Sequence, residues 1–170
     1  MSPIASSPLA VVAGHICLDI IPTMDTSLGN APSSQSGFLV LPGRLIHVGK
    51  AQLATGGAVS NTGLALHRLG IKTRLLGKIG DDLFGRIILE ILSQRDPQLA
   101  QGMIVDKESP SSYIIVLSTP GHDRSFLHCE GANDSFSAAD VDISTFTDAT
   151  LFHFGYPPIM RCIYADGGLA

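Results

Sequence analysis

Residues 55–85 read Thr55-Gly56-Gly57-Ala58-Val59-Ser60-Asn61 and then TGLALHRLGIKTRLLGKIGDDLFG. Two adjacent glycines precede a segment in which Thr62, Ala65, Leu66 and Leu69 recur at spacings of three and four, the period of one helix face. Gly70 stands where a C′ glycine ends a helix. Ile71 to Ile79 reads as a strand. Asp81 or Asp82 then caps a second helix, because a carboxylate there accepts otherwise unpaired N–H groups. The apolar positions of that helix are Phe84, Ile87, Ile88, Ile91 and Leu92, and Pro97 lies beyond its end. The alternation of helix and strand predicts an α/β fold.

Outward from this stretch the pattern continues. Leu9 to Gly14 is a short unbroken apolar run, which fits a buried strand of a parallel sheet. Asp19 follows just past its end, where ligands bind in open α/β sheets. A carboxylate there accepts hydrogen bonds from two neighbouring hydroxyls of a polyol, or is an ordinary loop aspartate. Residues 22–37 are rich in Pro, Ser and Gly and read as a loop. Phe38 to Leu41 and Leu45 to Val48 read as short strands broken by Pro42-Gly43, with Ala51 to Thr55 continuing the sheet. Met103 to Val105 is a further strand. Tyr113 to Leu117 and Ser125 to Cys129 form an antiparallel hairpin across the turn residues 119–123. The hairpin suits a small separate sheet at one edge of the parallel one. Thr150 to Phe154 is another strand, and a helix begins after Pro158 with Met160 and Ile163 as its apolar positions.

Composition narrows the class. The 170 residues are 45% hydrophobic and 15% charged, which excludes a disordered chain. A net charge of −4 argues against broad nucleic-acid binding and against adhesion to an anionic membrane. No apolar run reaches the roughly 18 residues of a membrane span, and no basic segment opens a secretory signal, so the expected location is cytoplasmic. Cys17, Cys129 and Cys162 form no CxxC pair and read as single buried thiols of a reducing compartment. His15, His47, His67, His122, His128 and His153 are scattered without metal-ligand spacing, so no metal site is expected.

Gly56-Gly57 with Asn61 is the strongest local signal of a binding site. Glycines let the backbone come close to a ligand, a helix N-terminus offers N–H groups, and Asn61 offers both donor and acceptor to a hydroxyl. The competing reading is a tight turn with Asn61 as a cap. Neither GxxxxGK[ST] nor GxGxxG after the first strand is present. Asp81 and Asp82 read as capping residues rather than a metal pair. Arg124, at the hairpin turn, reaches a carboxylate or phosphate of an acidic substrate, or is a solvated turn charge.

These residues together resemble the N-terminal signature of the ribokinase-like carbohydrate kinases, the PfkB family. Gly56-Gly57, Asn61, Gly70, Gly80 and the Gly-Asp-Asp-x-x-Gly of residues 80–85 carry the resemblance. The opening VVAGHICLDI with Asp19, and Gly131-Ala132-Asn133 after the hairpin, extend it over residues 9–156. Val59, Gly63 and Cys17 depart from the family's usual residues. The resemblance implies a doubly wound parallel sheet with a small β-sheet lid, the lid coming in part from residues 15–55 and from 112–130. Residues 1–170 would be the N-terminal portion of one such kinase domain, with the C-terminal half missing.

The activity so implied is ATP-dependent transfer of the γ-phosphoryl group to a sugar hydroxyl. Asp19, Gly56, Gly57 and Asn61 would hold the sugar, and lid closure would exclude water. The family's nucleotide site, for ATP and Mg2+, and its Gly-Ala-Gly-Asp base motif lie in the C-terminal half. Gly131-Ala132-Asn133-Asp134 follows the hairpin, has Asn as its third residue and is not read as that motif. No catalytic residue is therefore named, and the chain alone is expected to be inactive. Two other readings stand beside this one. One is a nucleoside or keto-sugar acid kinase, for which Arg124 and Lys50 would matter. The other is a non-catalytic sugar-binding or interaction module that uses the lid sheet. Lids of the family pair between subunits in some members, so a homodimer through the lid is possible within it.

Overall fold

The computed structural model describes residues 8–24, 43, 45–119, 121 and 123–165. Four parallel strands form the central sheet: β1 (Leu9–Gly14), β4 (Lys72–Gly80), β5 (Met103–Asp106) and β8 (Leu151–Gly155), in the order β5-β4-β1-β8. β1 lies inside the sheet, paired with β4 on one side and β8 on the other. All six of its residues are buried, which accounts for its unbroken apolar run.

A second sheet has the order β3-β2-β6-β7, from β2 (Cys17–Pro22), β3 (Ala51–Gly56), β6 (Tyr113–Leu117) and β7 (Ser125–Cys129). β2 runs antiparallel to β3 and parallel to β6, while β6 and β7 form the antiparallel hairpin. This is the lid sheet, separate from the parallel one as the hairpin's composition implies. Only two residues, His15 and Ile16, connect β1 to β2, so the lid springs from the C-terminal end of the central strand.

Helix α1 (Gly57–Arg68) follows β3 without a break and packs on β1, β4 and β8. Helix α2 (Leu83–Ser93) packs between the two sheets, against β4 and against β2 and β3. The main core joins Val12, Ile16, Leu18, Val59, Leu75, Ile79, Ile88 and Leu92. A smaller cluster on the other face of the parallel sheet holds Phe136, Met160 and Ile163, the last within the short helix α3 (Arg161–Tyr164). Alternation along β4 sends Leu75 to the first cluster and Leu76 to the second.

Three local expectations change. Residues 45–48 form no strand: Leu45 is 83% exposed and Val48 50%, and among the described residues no neighbouring strand runs beside them. The proposed strand at residues 38–41 and most of the loop at residues 22–37 lie outside the described residues. The buried side of α1 is Ala58, Val59, Ser60 and Gly63, with Leu69 77% exposed just past the helix. The helix begins at Gly57, and Val59, Gly63 and Leu66, at i, i+4 and i+7, line the side that meets the sheet, with Gly63 against Leu75. Finally, of the three free cysteines only Cys17 is buried; Cys162 is exposed.

Other sequence signals are found where they were read. Gly70 has φ +80° after α1. Asp82 Oδ1 accepts the Gly85 N–H at 2.8 Å and so caps α2. Asp82 also accepts the Ser111 N–H and hydroxyl, which anchors the segment leading into the lid hairpin.

Candidate functional site

The lid and the parallel sheet meet around the β1–β2 connection and the start of α1. Gly56 and Gly57 make that junction. Gly57 has φ +83°, the left-handed region that favours glycine. A Cβ there would meet the His15 carbonyl oxygen and lie 2.6 Å from His15 Nδ1. The turn is fixed by the Val59 N–H donating to the His15 carbonyl (3.1 Å) and by the Thr55–Ser60 hydroxyl pair (2.6 Å).

Asp19 lies on β2 rather than in a loop, opposite Ala54 of β3. Its carboxylate covers the Cα of Gly56: a Cβ on residue 56 would stand 2.5 Å from each carboxylate oxygen. The Cys17 thiol donates to Asp19 Oδ1 at 3.4 Å. Burial raises the Asp19 carboxyl above its ordinary value, and the thiol's hydrogen bond offsets part of that rise. Burial, reinforced by the neighbouring carboxylate, pushes the Cys17 thiol well up, so it stays protonated and a donor.

Asn61 is exposed, on the fifth position of α1, one turn after Gly57 and on the same side of the helix. Gly56 is the N-cap position and carries no side-chain cap, so the capping reading of Asn61 is corrected. Asp19, Gly56 and Gly57 are brought together directly, with Asn61 one helical turn further along.

Two histidines that look scattered in sequence meet at this junction. His15 Nε2 lies 3.2 Å from His128 Nε2, and Ser112 Oγ lies 3.5 and 3.4 Å from them. The Ser112 hydroxyl donates to the Cys129 carbonyl at 2.8 Å. His15 is buried, and its pKa falls from 6.5 to about 4, through burial first and the neighbouring His128 second. The signal for this pairing lay in the hairpin register. Asp19 stands opposite Ile114, and Ile114 opposite His128, so all three lie on one face of the lid. That register is invisible until β2 and β6 are known to be neighbours.

The look-alike Gly131-Ala132-Asn133-Asp134 is structural. Asn133 is fully buried; its Oδ1 accepts the Ile16 N–H (3.1 Å) and its Nδ2 donates to the Ile16 carbonyl (2.8 Å). Asp134 pairs with Arg161 at 3.0 Å. Arg124 is exposed, with its guanidinium 5.5 Å above the Phe126 ring. Among the described residues no three His, Cys, Asp or Glu side chains gather to hold a metal ion, and no helix is long and apolar enough to cross a membrane.

The chain is similar to known sugar kinases. It is 31% identical over 154 residues to fructokinase-2 of Solanum lycopersicum, an alignment covering 89% of this chain and 42% of that protein. The ribokinase of Thermotoga maritima has the same fold (TM-score 0.65, 16% identity), matched over 86% of this chain and 44% of the ribokinase. A ribokinase of Cryptococcus neoformans, solved with ADP, matches with TM-score 0.63 and 20% identity over 87% of this chain and 42% of that one. The chain thus spans less than half the length of these relatives. The family model described as pfkB family carbohydrate kinase matches residues 9–161, nine-tenths of the sequence, and the chain belongs to that family.

Proposed function

We propose that this chain is the sugar-binding part of an ATP-dependent hexose kinase that acts on fructose. The observation that carries the reading is the Asp19 carboxylate seated on the bare Cα of Gly56, beside the N-terminus of α1. A carboxylate accepts from two adjacent sugar hydroxyls, and the glycine pair lets the sugar approach the backbone. Asn61 supplies a further donor and acceptor. The similarity to fructokinases supports fructose over other sugars. Closure of the lid sheet over the bound sugar would exclude water, so that a sugar hydroxyl rather than water is the acceptor.

The nucleotide half of the reaction is not assigned to these residues, because the sequence carries no Gly-Ala-Gly-Asp run. No phosphoryl-transfer step is therefore drawn through these residues; ATP, Mg2+ and the catalytic base would be held by a segment outside the 170 residues. The cytoplasm is the fitting compartment for three free thiols. A second copy of the chain would pair through the back of the lid, where Leu53, Ile20, Ile115 and Leu127 align across the four strands and the two outer leucines are each 50% exposed.

The test is a fructose titration of the chain followed by amide shifts, together with an ADP-release assay. Binding with shifts at Gly57 and Asn61, and no ADP release above background, is the expected result. ADP release by the chain alone would refute the division of labour, and absence of sugar binding would refute the site. One observation favours a second substrate. Arg124 stacks over Phe126 on the lid face that also carries Asp19 and His128, and a guanidinium there would recognise a keto-sugar acid. Tighter binding of such an acid than of fructose, lost in Arg124→Gln, would select that reading.

A further inference from the structure

We infer that His128 is a specificity residue of this cleft: His15 holds it as the neutral Nδ1–H tautomer, so the lid presents a hydrogen-bond donor to the sugar on the same face as the Asp19 acceptor. The inference rests on the sugar-site reading above and adds a contact to it.

The tautomers follow from the surroundings of His15. Its Nδ1 is buried and has no hydrogen-bond partner among the described residues. That nitrogen faces the Cα of Gly57, with a Cβ built there only 2.6 Å away, so the Gly57 Cα–H points at it. A bare ring nitrogen accepts such a contact weakly, whereas an N–H would collide with it. The proton of His15 is therefore on Nε2, from which it donates across 3.2 Å to His128 Nε2. Ser112 has no hydrogen to offer this pair, because its hydroxyl is spent on the Cys129 carbonyl. With its Nε2 accepting, a neutral His128 carries its proton on Nδ1. A protonated His128 would set two N–H groups against each other across the same gap.

His128 is half-buried, and its Nδ1 is neither enclosed nor bonded among the described residues. Register places it two strands from Asp19 in one lateral row, with Ile114 between. At the ordinary strand spacing this separation is about 10 Å. That span suits one sugar ring held between an acceptor and a donor, with the Ile114 side chain against its apolar face. The Tyr156 ring stands edge-on to the His15 ring, with 6.0 Å between the ring centres.

The same geometry argues against a bridging metal ion. A histidine bound through Nε2 normally donates its other N–H to a partner, and His15 Nδ1 has none.

The experiment is long-range 1H–15N spectroscopy of the imidazoles in the labelled 170-residue chain at neutral pH, before and after addition of fructose. The expected spectra show both histidines neutral, His15 with its proton on Nε2 and His128 on Nδ1. Fructose should then move the His128 Nδ1 resonance together with the Gly57 and Asn61 amides. His128→Phe should weaken fructose binding about tenfold, and His128→Asn, which returns an N–H near the Nδ1 position, should recover most of it. A His128 found as the Nε2–H tautomer or as a cation overturns the inference in the unaltered chain, whatever the variants do. Shifts at Gly57 and Asn61 with His128 unmoved also overturn it and leave the sugar site standing. Shifts at none of the three overturn the sugar-site reading and this contact with it.

Discussion

The Asp19 carboxylate occupies the space where a side chain on residue 56 would stand, with each oxygen 2.5 Å from the position of a Cβ. The backbone of Gly56 is extended, at φ −117°, so conformation alone would permit alanine there. Space is what requires glycine. Gly56→Ala must push the carboxylate aside, at a cost typical of overpacking, about 1–3 kcal/mol. Fructose affinity should fall at least tenfold, while Gly57→Ala, strained at φ +83° and blocked by His15, should reduce the folded yield itself. Isothermal titration and urea unfolding on the two variants separate these outcomes; equal behaviour would contradict the distinction.

Asn133 ties the end of the lid hairpin to the β1–β2 connection by bonding both backbone groups of Ile16. Asn133→Ala would leave a buried N–H and a buried carbonyl without partners. Each such group costs about 1–3 kcal/mol, so a loss of about 2–4 kcal/mol of unfolding free energy is expected. Asn133→Asp keeps the acceptor for the Ile16 N–H but sets a carboxylate against the Ile16 carbonyl, and should be at least as damaging at neutral pH. Denaturant midpoints for the two variants test this, and a near-neutral Asn133→Ala would show that the clamp is not needed.

Much of this arrangement was legible in the residues themselves. The glycine pair, the Asp82 cap, the Gly70 terminus, the hairpin and its separate sheet all rest on local chemistry, and the structure has them where that chemistry puts them. What stayed hidden is long-range. Asp19 read as a loop residue because the two-residue link His15-Ile16 leaves no turn signal between β1 and β2. The apolar residues 45–48 read as a strand because pattern says nothing about whether a neighbouring strand exists. His15 and His128, 113 positions apart, meet only through the β2–β6–β7 register. Asn133 resembled part of a motif, and its true role depends on Ile16, 117 positions away.

Acid should destabilise the chain through His15. Its folded pKa is depressed from 6.5 to about 4 by burial and by His128. The unfolded chain therefore binds a proton that the folded chain refuses between those values, and stability falls as pH drops from about 6.5 to about 4. The full difference corresponds to about 3 kcal/mol. Asp82 acts in a lower window. Its carboxyl is held below the ordinary value by the Gly85 and Ser111 hydrogen bonds against the opposing effect of burial, so its contribution is lost only below about pH 4. Unfolding free energy measured from pH 7 to 4.5 should decline in the unaltered chain and stay flatter in His15→Gln. Parallel curves would remove His15 as the cause.

Asp19 should behave in the opposite sense, and this separates a binding residue from a structural one. Its carboxyl is raised by burial, so the folded state holds the charged form at a cost that acid relieves. Asp19→Asn removes that charge with little change in shape, and the Cys17 thiol keeps an oxygen to donate to. The variant should therefore be as stable as the parent or more so at neutral pH. Its amide, however, offers one acceptor oxygen where two sugar hydroxyls need a carboxylate, and fructose affinity should fall tenfold or more. A residue kept despite destabilising the fold is the mark of a functional site. If thermal midpoint and fructose affinity fall together in Asp19→Asn, the carboxylate is holding β2 against β3 and the sugar must be bound elsewhere.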